Sequence, residues 1–384
     1  MYAHPMLIST PALDSADQVV LDGIEAFRRD FKHRVAEPRR WIGHLRRSLT
    51  AGAIRGSTTI EGYTISADDA EALAAHEEMS AAVSAETAAA VEGYRDALTY
   101  VQQAANFEDF RYDKMLFSAL HFMMTKTVLS KWPGRFRTAG VWVTAGAGLP
   151  PAYTAPDADA VPPLMDELVA WLNEGDLDTP MYVRAAMAHL NLVSVHPWRD
   201  GNGRMSRCLH TLVLAREGIL APEFSSIEEW LGLGGHNTGL YYAALATTRE
   251  VFDPSVDAHE WVKFCLRTHH LQAQLVQRRL EVAKVLWSKL ELVAQHADLD
   301  PRTVTALYAA AQGELRRTTY QSDEALTRDQ AVRDLQTLGK LRLIEPVGHG
   351  RTSRYIAGES VRRFAVEIRE SVNMAPLREP YSGS

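Results

Sequence analysis

The sequence predicts a mainly α-helical fold with one short β-hairpin and a small C-terminal winged-helix domain. Apolar residues recur at helical spacing through most of the chain, for example over residues 40–54. Pro133 and Gly134 interrupt this pattern, and residues 135–156 change to short alternation with several glycines and prolines. That change indicates a β-hairpin or an extended loop between two helical regions.

The last section of the chain predicts a separate small unit. Two helical stretches, residues 303–311 and 328–338, precede the short apolar segment 341–345. A turn that carries glycines and arginines follows at residues 348–355 and leads into another short strand. Helices followed by a basic hairpin in this order are typical of a winged helix.

These patterns divide the chain into four parts. An N-terminal helical segment covers residues 1–100, a helical core covers residues 101–270, and the winged helix covers residues 300–358. The tail at residues 372–384 is expected to be disordered.

The composition is that of an ordinary globular protein. The chain has 384 residues, of which 46% are hydrophobic and 23% are charged. Its net charge of −7 disfavours general binding to nucleic acid or anionic membranes, so a DNA contact would need a local basic patch. The two cysteines, Cys208 and Cys265, are too few for a disulfide scaffold. We therefore expect a cytoplasmic protein without a membrane span or a secretory signal.

One stretch of the chain contains the groups of a phosphate-transfer site. It reads HPWRDGNGRMSR and covers residues 196–207. Gly201 and Gly203 precede a predicted helix, so backbone N–H groups and the positive end of the helix can bind an anion there. Arg204 and Arg207 are three residues apart and therefore lie on one helical face above that site.

Two further side chains complete this predicted site. Asp200 offers a hard oxygen ligand, which suits Mg²⁺ bound to phosphates. His196 ends the preceding helix because Pro197 follows it, and its imidazole can accept a proton near neutral pH. Each feature alone is common in turns and on exposed helices, but their joint order indicates phosphoryl or nucleotidyl transfer.

At these residues the chain resembles the Fic (filamentation induced by cAMP) family of protein adenylyltransferases, whose motif is HPFx(D/E)GN(G/K)RxxR. The match departs at Trp198, where the family usually has phenylalanine, and a larger aromatic can pack under the same loop. The similarity extends from about Ile54 to Phe264. It implies a Fic helical core for the predicted catalytic domain.

The resemblance implies a role for each residue of the motif. His196 would be the general base and Asp200 would hold Mg²⁺. The phosphates of ATP would contact the turn and the arginines, namely Gly201, Asn202, Gly203, Arg204 and Arg207. AMP would pass to a Ser, Thr or Tyr hydroxyl of a target protein, and pyrophosphate would leave.

Residues 57–62, STTIEG, resemble the inhibitory motif (S/T)xxxE(G/N) of the family class that carries an inhibitory helix on the same chain. Glu61 would pair with Arg207 and occupy the place that the γ-phosphate needs. The same pattern is also common where a helix ends in glycine. The resemblance therefore implies an enzyme that inhibits itself.

Two other segments resemble family regions that contact the target and the base. Residues 134–144 are similar to the flap, a hairpin that binds a target protein by strand addition, although an ordinary edge hairpin has the same pattern. Tyr241 and Tyr242 match a YYxxL segment in which a tyrosine lines the adenine pocket, although tyrosines at this spacing also occur in cores. Arg249 stands where some relatives have asparagine, so the preference for ATP is left open.

Other functions fit the same residues. The site would also suit removal of AMP from modified proteins, with Glu61 orienting a water molecule, or transfer of another nucleotide. A different class of function is DNA-binding regulation through the winged helix, for which the candidate contacts are Arg328, Arg333, Lys340, Arg351 and Arg354. Four acidic residues interleave with them and would weaken the field, namely Asp323, Glu324, Asp329 and Asp334. The target protein and the oligomeric state are left open.

Overall fold

The computed structural model describes residues 6–36, 40–104, 106–144, 151–216, 222–248, 250–348 and 354–382. Over these residues the fold is mainly α-helical, as predicted, with two small antiparallel sheets of two strands each. The chain forms two compact units. The larger unit contains residues 1–32, 49–273 and 379–384, and the smaller unit contains residues 33–48 and 274–378. Within the described ranges, none of the helices is both long and apolar enough to span a membrane.

Eleven of the described helices contribute residues to the larger unit. They are α1 (Ser15–Ala36), α2 (Arg40–Ile60), α3 (Ala67–Ala74), α4 (Ala85–Ala104), α5 (Lys114–Thr125), α6 (Val161–Glu174), α7 (Met181–Val195), α8 (Asn202–Arg216), α9 (Glu228–Leu231), α10 (Gly234–Ala246) and α11 (His259–His296). Because the unit boundaries fall within α1, α2 and α11, these three helices contain residues of both units.

Helices α7 and α8 form the centre of the larger unit. Almost every residue of both helices is buried, as expected for helices surrounded by protein on all sides. Helix α7 ends at His196, which has the left-handed φ of +51°, and Pro197 follows it. The loop 197–201 then leads directly into α8, so the predicted site lies between the two most buried helices.

Two short strands lie inside the segment for which the sequence predicts a hairpin. Strand β1 (Trp142–Thr144) pairs antiparallel with β2 (Pro151–Thr154), and Val143 lies opposite Tyr153. Trp142 and Val143 are exposed. Residues 145–150 lie outside the described residues.

The smaller unit has the element order expected from the sequence, with two additions, the helices α13 and α15. Its helices and strands are α12 (Thr303–Gln312), α13 (Arg317–Asp323), α14 (Arg328–Lys340), β3 (Ile344–Val347), β4 (Arg354–Ala357) and α15 (Glu359–Asn373). Strands β3 and β4 pair antiparallel, and Leu315 forms a further antiparallel bridge to Tyr355. Helix α15, which lies beyond the predicted boundary at residue 358, buries Val361 and Ala365.

Helix α2 is longer than the sequence predicts. The expected end near Ile54 is wrong, because the helix continues through Gly56 to Ile60. A Cβ atom at Gly56 would lie 2.1 Å from the Glu228 carbonyl oxygen, so only glycine allows this close approach of helix and backbone. Residues 57–60 are therefore the last turn of a helix.

Two segments expected to be irregular are also structured. The glycines at positions 232, 234, 235 and 239 favour a loop over residues 232–239, but the chain is helical from Gly234 onward. The tail predicted to be disordered is described as far as residue 382. Glu379 accepts two hydrogen bonds from Arg267, and the Tyr381 hydroxyl lies 2.9 Å from Asp17 Oδ1, so specific polar contacts hold this tail.

Arg137 joins the segment before β1 to the end of α7. The side chain is buried, and each of its three nitrogens donates to a backbone carbonyl. Its Nε lies 2.8 Å from the oxygen of His196, Nη1 lies 3.0 Å from that of Ala139, and Nη2 lies 2.5 Å from that of Pro156. One buried guanidinium thus satisfies three backbone carbonyls that regular secondary structure leaves without a donor.

We predict that Arg137→Met destabilises the protein by roughly 2–4 kcal/mol, because buried carbonyls would lose their donors. Urea unfolding followed by circular dichroism measures this difference. Arg135→Met removes an exposed arginine two positions away and is expected to change stability by less than about 0.5 kcal/mol. Equal losses in the two variants would contradict this role of Arg137.

Candidate active site

The predicted motif lines a cavity of about 570 Å³ in the larger unit. The lining includes His196, Gly203 and Arg207 from the motif. Glu61, which directly follows α2, and the tyrosines of α10 also line it, together with Val143 and Ala152 from the strands β1 and β2. The structure therefore brings together residues that lie far apart in the sequence.

The backbone of the loop leaves amides available at the start of α8. Gly201 has a φ of +79°, and the first bond within α8 runs from the Met205 N–H to the Gly201 carbonyl. The amides between these two residues are outside the hydrogen bonding of the helix itself. They form the positive end of a buried helix and can bind an anion.

The side chain of Asn202 serves the loop. Its Oδ1 accepts from the Trp198 N–H at 3.0 Å, and its Nδ2 donates to the Trp198 carbonyl at 2.9 Å. Asn202 is 2% exposed. The sequence predicts that Asn202 contacts a phosphate, and the two bonds that close the turn leave one hydrogen of Nδ2 and the backbone N–H unused within the described residues.

Trp198 packs beneath the loop, in the position that the sequence predicts for an aromatic residue. Its ring is fully buried and stacks on His121, with ring centroids 4.7 Å apart. His121 Nδ1 accepts from the Gly134 N–H, so its Nε2 carries the proton and donates to the Asp200 carbonyl. Burial lowers the pKa of His121 to about 4, so this ring is neutral. Sequence reasoning missed His121 because nothing near it in the chain marks a site.

His196 has the tautomer that a general base needs. Its Nδ1 lies 3.1 Å from the Val193 carbonyl, which can only accept, so Nδ1 carries the proton and Nε2 has a free lone pair. Burial lowers the pKa of His196 below its ordinary value. The imidazole is therefore neutral at physiological pH and ready to accept a proton.

Arg207 is a buried cation whose partners come from the last turn of α2 and from the residue that follows it. The residue is 1% exposed. Its Nε donates to Ser57 Oγ at 2.8 Å, and its Nη2 donates to the Ser57 carbonyl at 3.0 Å and to Glu61 Oε1 at 2.7 Å. Burial alone would lower the pKa of Arg207, but the Glu61 carboxylate raises it above the ordinary value.

The Glu61 carboxylate also lies against the first turn of α8. A Cβ atom at Gly203 would lie 2.4 Å from Glu61 Oε1 and 3.2 Å from Arg207 Nη1. Because Gly203 has no side chain, the Glu61 carboxylate can fill the space beside it. Glu61 occupies a position where a helix N-terminus and an arginine attract negative charge.

Arg204 lies one turn before Arg207 on α8, near Asp200. Its guanidinium carbon is 5.5 Å from the centroid of the Tyr63 ring, and Nη2 is 3.9 Å from Asp200 Oδ2. The residue is 2% exposed, and its Nε has no hydrogen-bond partner in the part of the chain that the structure describes. The two arginines of the motif thus differ in their surroundings.

Asp200 is held by the loop and by a lysine. Its Oδ1 accepts from the Gly201 N–H at 2.7 Å, and its Oδ2 lies 2.5 Å from Lys131 Nζ. Burial would raise the pKa of Asp200, but the hydrogen bond from Lys131 and the charge of Arg204 lower it below the ordinary value. Sequence reasoning missed Lys131, which precedes the helix break at Pro133.

The tyrosines of α10 have different roles in the cavity wall. Tyr241 is 1% exposed, and its hydroxyl lies 3.0 Å from His189 Nε2 and 3.5 Å from Arg207 Nη1. Tyr242 is 48% exposed and donates to the Ile60 carbonyl at 3.3 Å. Arg249 lies outside the described residues.

This arrangement suits chemistry on a phosphate ester. A neutral imidazole with a free nitrogen lines the same cavity as a helix N-terminus and a buried arginine. The helix and the arginine would stabilise negative charge on phosphate oxygens, and the imidazole would accept a proton from a hydroxyl.

Comparisons with known proteins agree with the motif. Residues 112–214 match the Fic/DOC family. The segment is 36% identical over 110 residues to protein adenylyltransferase fic-1 of Caenorhabditis elegans, which is 28% of this chain and 20% of that protein. It is 42% identical over 86 residues to protein adenylyltransferase Fic of Drosophila erecta, which is 22% of this chain and 16% of that protein. The chain thus matches about a fifth of the length of these relatives.

Solved structures show that the fold is shared more widely than the sequence. A Fic family protein from Desulfovibrio desulfuricans G20 has a TM-score of 0.58 at 21% identity, over 91% of this chain and 98% of that one. Fic-1 of C. elegans, residues 134–508, has a TM-score of 0.56 at 23% identity, over 70% of this chain and 73% of that one. From the family match, the named relatives and the buried loop between α7 and α8, we conclude that this chain contains a domain of the Fic/DOC family over residues 112–214.

Proposed function

We propose that this protein is an adenylyltransferase that moves AMP from ATP to a Ser, Thr or Tyr hydroxyl of a target protein or of itself. The observation that carries the proposal is the free Nε2 of His196 in the same cavity as the N-terminus of α8 and Arg207. The matching relatives are named protein adenylyltransferases, which supports the same reaction.

The reaction follows from these groups. The target hydroxyl attacks the α-phosphorus of ATP, and His196 Nε2 accepts its proton. A new oxygen–phosphorus bond forms while the bond to the β-phosphate oxygen breaks, so pyrophosphate leaves. The amides at the start of α8 stabilise charge on the α-phosphate, and Arg207 stabilises charge on the terminal phosphates. Arg204, whose Nε has no partner within the described ranges, supplies a second cation on the Asp200 side.

Asp200 is the residue that would hold Mg²⁺. The carboxylate is partly exposed and offers a hard oxygen. Such a group suits a magnesium ion that keeps most of its waters and also binds phosphates. Lys131 occupies its Oδ2, so a metal ion must first displace the ammonium group. When bound, the ion would neutralise charge on the phosphates.

The base of the nucleotide would lie against the tyrosines of α10. Tyr242 offers a half-exposed ring in the cavity wall, whereas Tyr241 uses its hydroxyl to support Arg207. An exposed ring suits stacking against a planar base. We therefore assign base contact mainly to Tyr242 and a positioning role to Tyr241.

We propose that Glu61 inhibits the enzyme. Its carboxylate is bonded to Arg207 and lies over Gly203, in the space proposed for the terminal phosphates. ATP would then bind weakly or in a misaligned pose until the carboxylate moves away. Ser57 keeps its two bonds to Arg207 in either case, so the arginine would stay in place.

The strands β1 and β2 are proposed as the flap that positions the target. Trp142 is 59% exposed and Val143 is 38% exposed, and Val143 and Ala152 also line the cavity. A target segment that adds a strand to residues 134–144 would place its hydroxyl close to His196.

The first prediction concerns Glu61→Gly. This change is expected to raise the affinity for ATP and the rate of self-modification by about tenfold or more, because the terminal phosphates gain Arg207 as a partner. Binding is measured by calorimetry with ATP and Mg²⁺, and modification is measured with radiolabelled ATP. The same change combined with His196→Ala should bind ATP equally well without modifying protein. Weak, equal labelling of the wild type and Glu61→Gly would remove the inhibitory role.

The second prediction concerns pH. The base must be neutral to accept a proton, and burial lowers the pKa of His196, so the neutral form persists to lower pH than for an ordinary histidine. The acid limb of kcat/KM for Glu61→Gly should therefore fall with a midpoint below pH 6.5. A midpoint above that value would contradict the assignment of His196 as a buried base.

The third prediction concerns Lys131→Met, which removes the cation that competes for Asp200. We expect the affinity for Mn²⁺, used as a paramagnetic probe with a non-hydrolysable ATP analogue, to rise by up to about fivefold, as for a partly exposed ion pair. Electron paramagnetic resonance of free Mn²⁺ measures this. Lys126→Met, which removes a lysine paired with Asp96, serves as the control and should leave the affinity unchanged. Unchanged affinity in Lys131→Met would show that the lysine does not compete with the metal.

A further inference from the structure

The two units of the chain differ strongly in charge. The smaller unit contains 22 Lys and Arg against 14 Asp and Glu, a net charge of +8, while the rest of the chain contains 19 against 34, a net charge of −15. The net charge of −7 for the whole chain is the sum of these two values. An unequal distribution of this kind is typical of proteins in which one part contacts a polyanion.

The basic side chains of the smaller unit include those of an exposed helix face on α14. Helix α14 buries Ala331, Leu335 and Leu338, and its other side is open to solvent. The open side carries polar side chains at helical spacing, namely Arg328, Arg333, Gln336, Thr337 and Lys340. Asp329 is the acidic residue on this side.

The acidic residues that interleave with these cations in the sequence are engaged elsewhere in the unit. Asp334 accepts two hydrogen bonds from Arg302, at 2.8 and 3.0 Å. Asp323 lies 2.7 Å from Arg47, and this pair is largely shielded from solvent. Their charges are therefore compensated locally and weaken the field of α14 less than the sequence indicates.

Glu324 and Arg354 each form an ion pair with another residue of the unit. Glu324 Oε2 lies 3.5 Å from Arg40, and its Oε1 accepts from Thr305 at 2.5 Å. Arg354 binds Glu314, so this arginine of β4 is no longer a candidate contact. Arg351, a further candidate from the sequence, lies outside the described residues.

A helix cap and a small sheet flank α14. Thr327 and Gln330 form a reciprocal cap at its N-terminus, and helices α12 and α13 precede it. The antiparallel pair β3 and β4 follows, and the bridge from Leu315 to Tyr355 ties this pair to the segment between α12 and α13. This order is that of a winged helix, in which the third helix is the one that enters the major groove.

We propose that the smaller unit binds duplex DNA through the exposed face of α14. Arginine and lysine at its two ends suit phosphates, and glutamine and threonine between them suit phosphates or base edges. Its exposed positions, Arg328, Asp329, Arg333, Gln336, Thr337 and Lys340, include no large apolar residue. A protein partner would need apolar or aromatic anchors at the centre of its interface. The composition of this face therefore favours nucleic acid.

The test measures binding of the full chain to a fluorescein-labelled duplex of about 20 base pairs, two turns of DNA, by fluorescence anisotropy. Salt is varied between about 50 and 200 mM, where phosphate contacts make affinity strongly salt-dependent. We expect a dissociation constant on the order of micromolar at low salt for a mixed sequence.

The variant R333A/K340A removes two cations from the α14 face. It should weaken binding by about tenfold or more at low salt and make the slope of log affinity against log salt shallower by about two, because each phosphate contact contributes about 0.9. The matched control K284A/K289A removes two exposed lysines of the same unit from α11. It should change affinity by less than about threefold and leave the slope unchanged. Circular dichroism and thermal unfolding establish that both variants are folded.

Two results would overturn the proposal. One is the absence of binding by the wild type at the lowest salt concentration. The other is an equal loss in both variants, which would assign binding to the net charge of the unit instead of the α14 face. If R333A/K340A is unstable, R333Q/K340Q keeps side-chain bulk at both exposed positions and is measured in its place. Neither position contacts the cavity at His196, so self-modification by Glu61→Gly should be unaffected by these changes.

Discussion

The ion pair between Arg207 and Glu61 is the interaction on which the site depends. A guanidinium that is 1% exposed cannot remain without partners, because a buried, unpaired charge costs several kcal/mol. Ser57 supplies two permanent acceptors, and Glu61 supplies the negative charge. A triphosphate that takes the place of Glu61 would also supply negative charge. In the proposed mechanism, activation is therefore an exchange of one anion for another around a fixed arginine.

Hydrogen bonds from side chains outside the ion pair keep the surrounding loop in shape. The amide of Asn202 closes the turn on Trp198, the neutral ring of His121 joins Asp200 to Gly134, and Arg137 holds the carbonyl of His196. With these contacts made inside the protein, the amides of the first turn of α8 stay oriented toward the cavity. Such preorganisation lowers the reorganisation needed when charge develops on a phosphate.

The proposed catalytic site and the proposed DNA contact belong to units of opposite net charge. The larger unit, with a net charge of −15, would be repelled by DNA, whereas the smaller unit, with a net charge of +8, would be attracted to it. Within the smaller unit, arginines neutralise the buried and half-buried carboxylates and leave the exposed side of α14 with its own cations. The net charge of a whole chain is therefore a poor guide to nucleic-acid binding when charges of opposite sign belong to different units.

The sequence by itself determined the helical class, the end of α7 at His196 and the motif at residues 196–207, because periodicity and turn chemistry act over a few neighbouring residues. Only the tertiary structure decided which groups already have partners. Asn202 serves Trp198, Lys131 meets Asp200, and Glu61 meets Arg207 across 146 residues. It also extended α2 to Ile60, through a close approach that only Gly56 permits. Contacts between distant segments depend on how the helices pack, and local sequence carries no record of that packing.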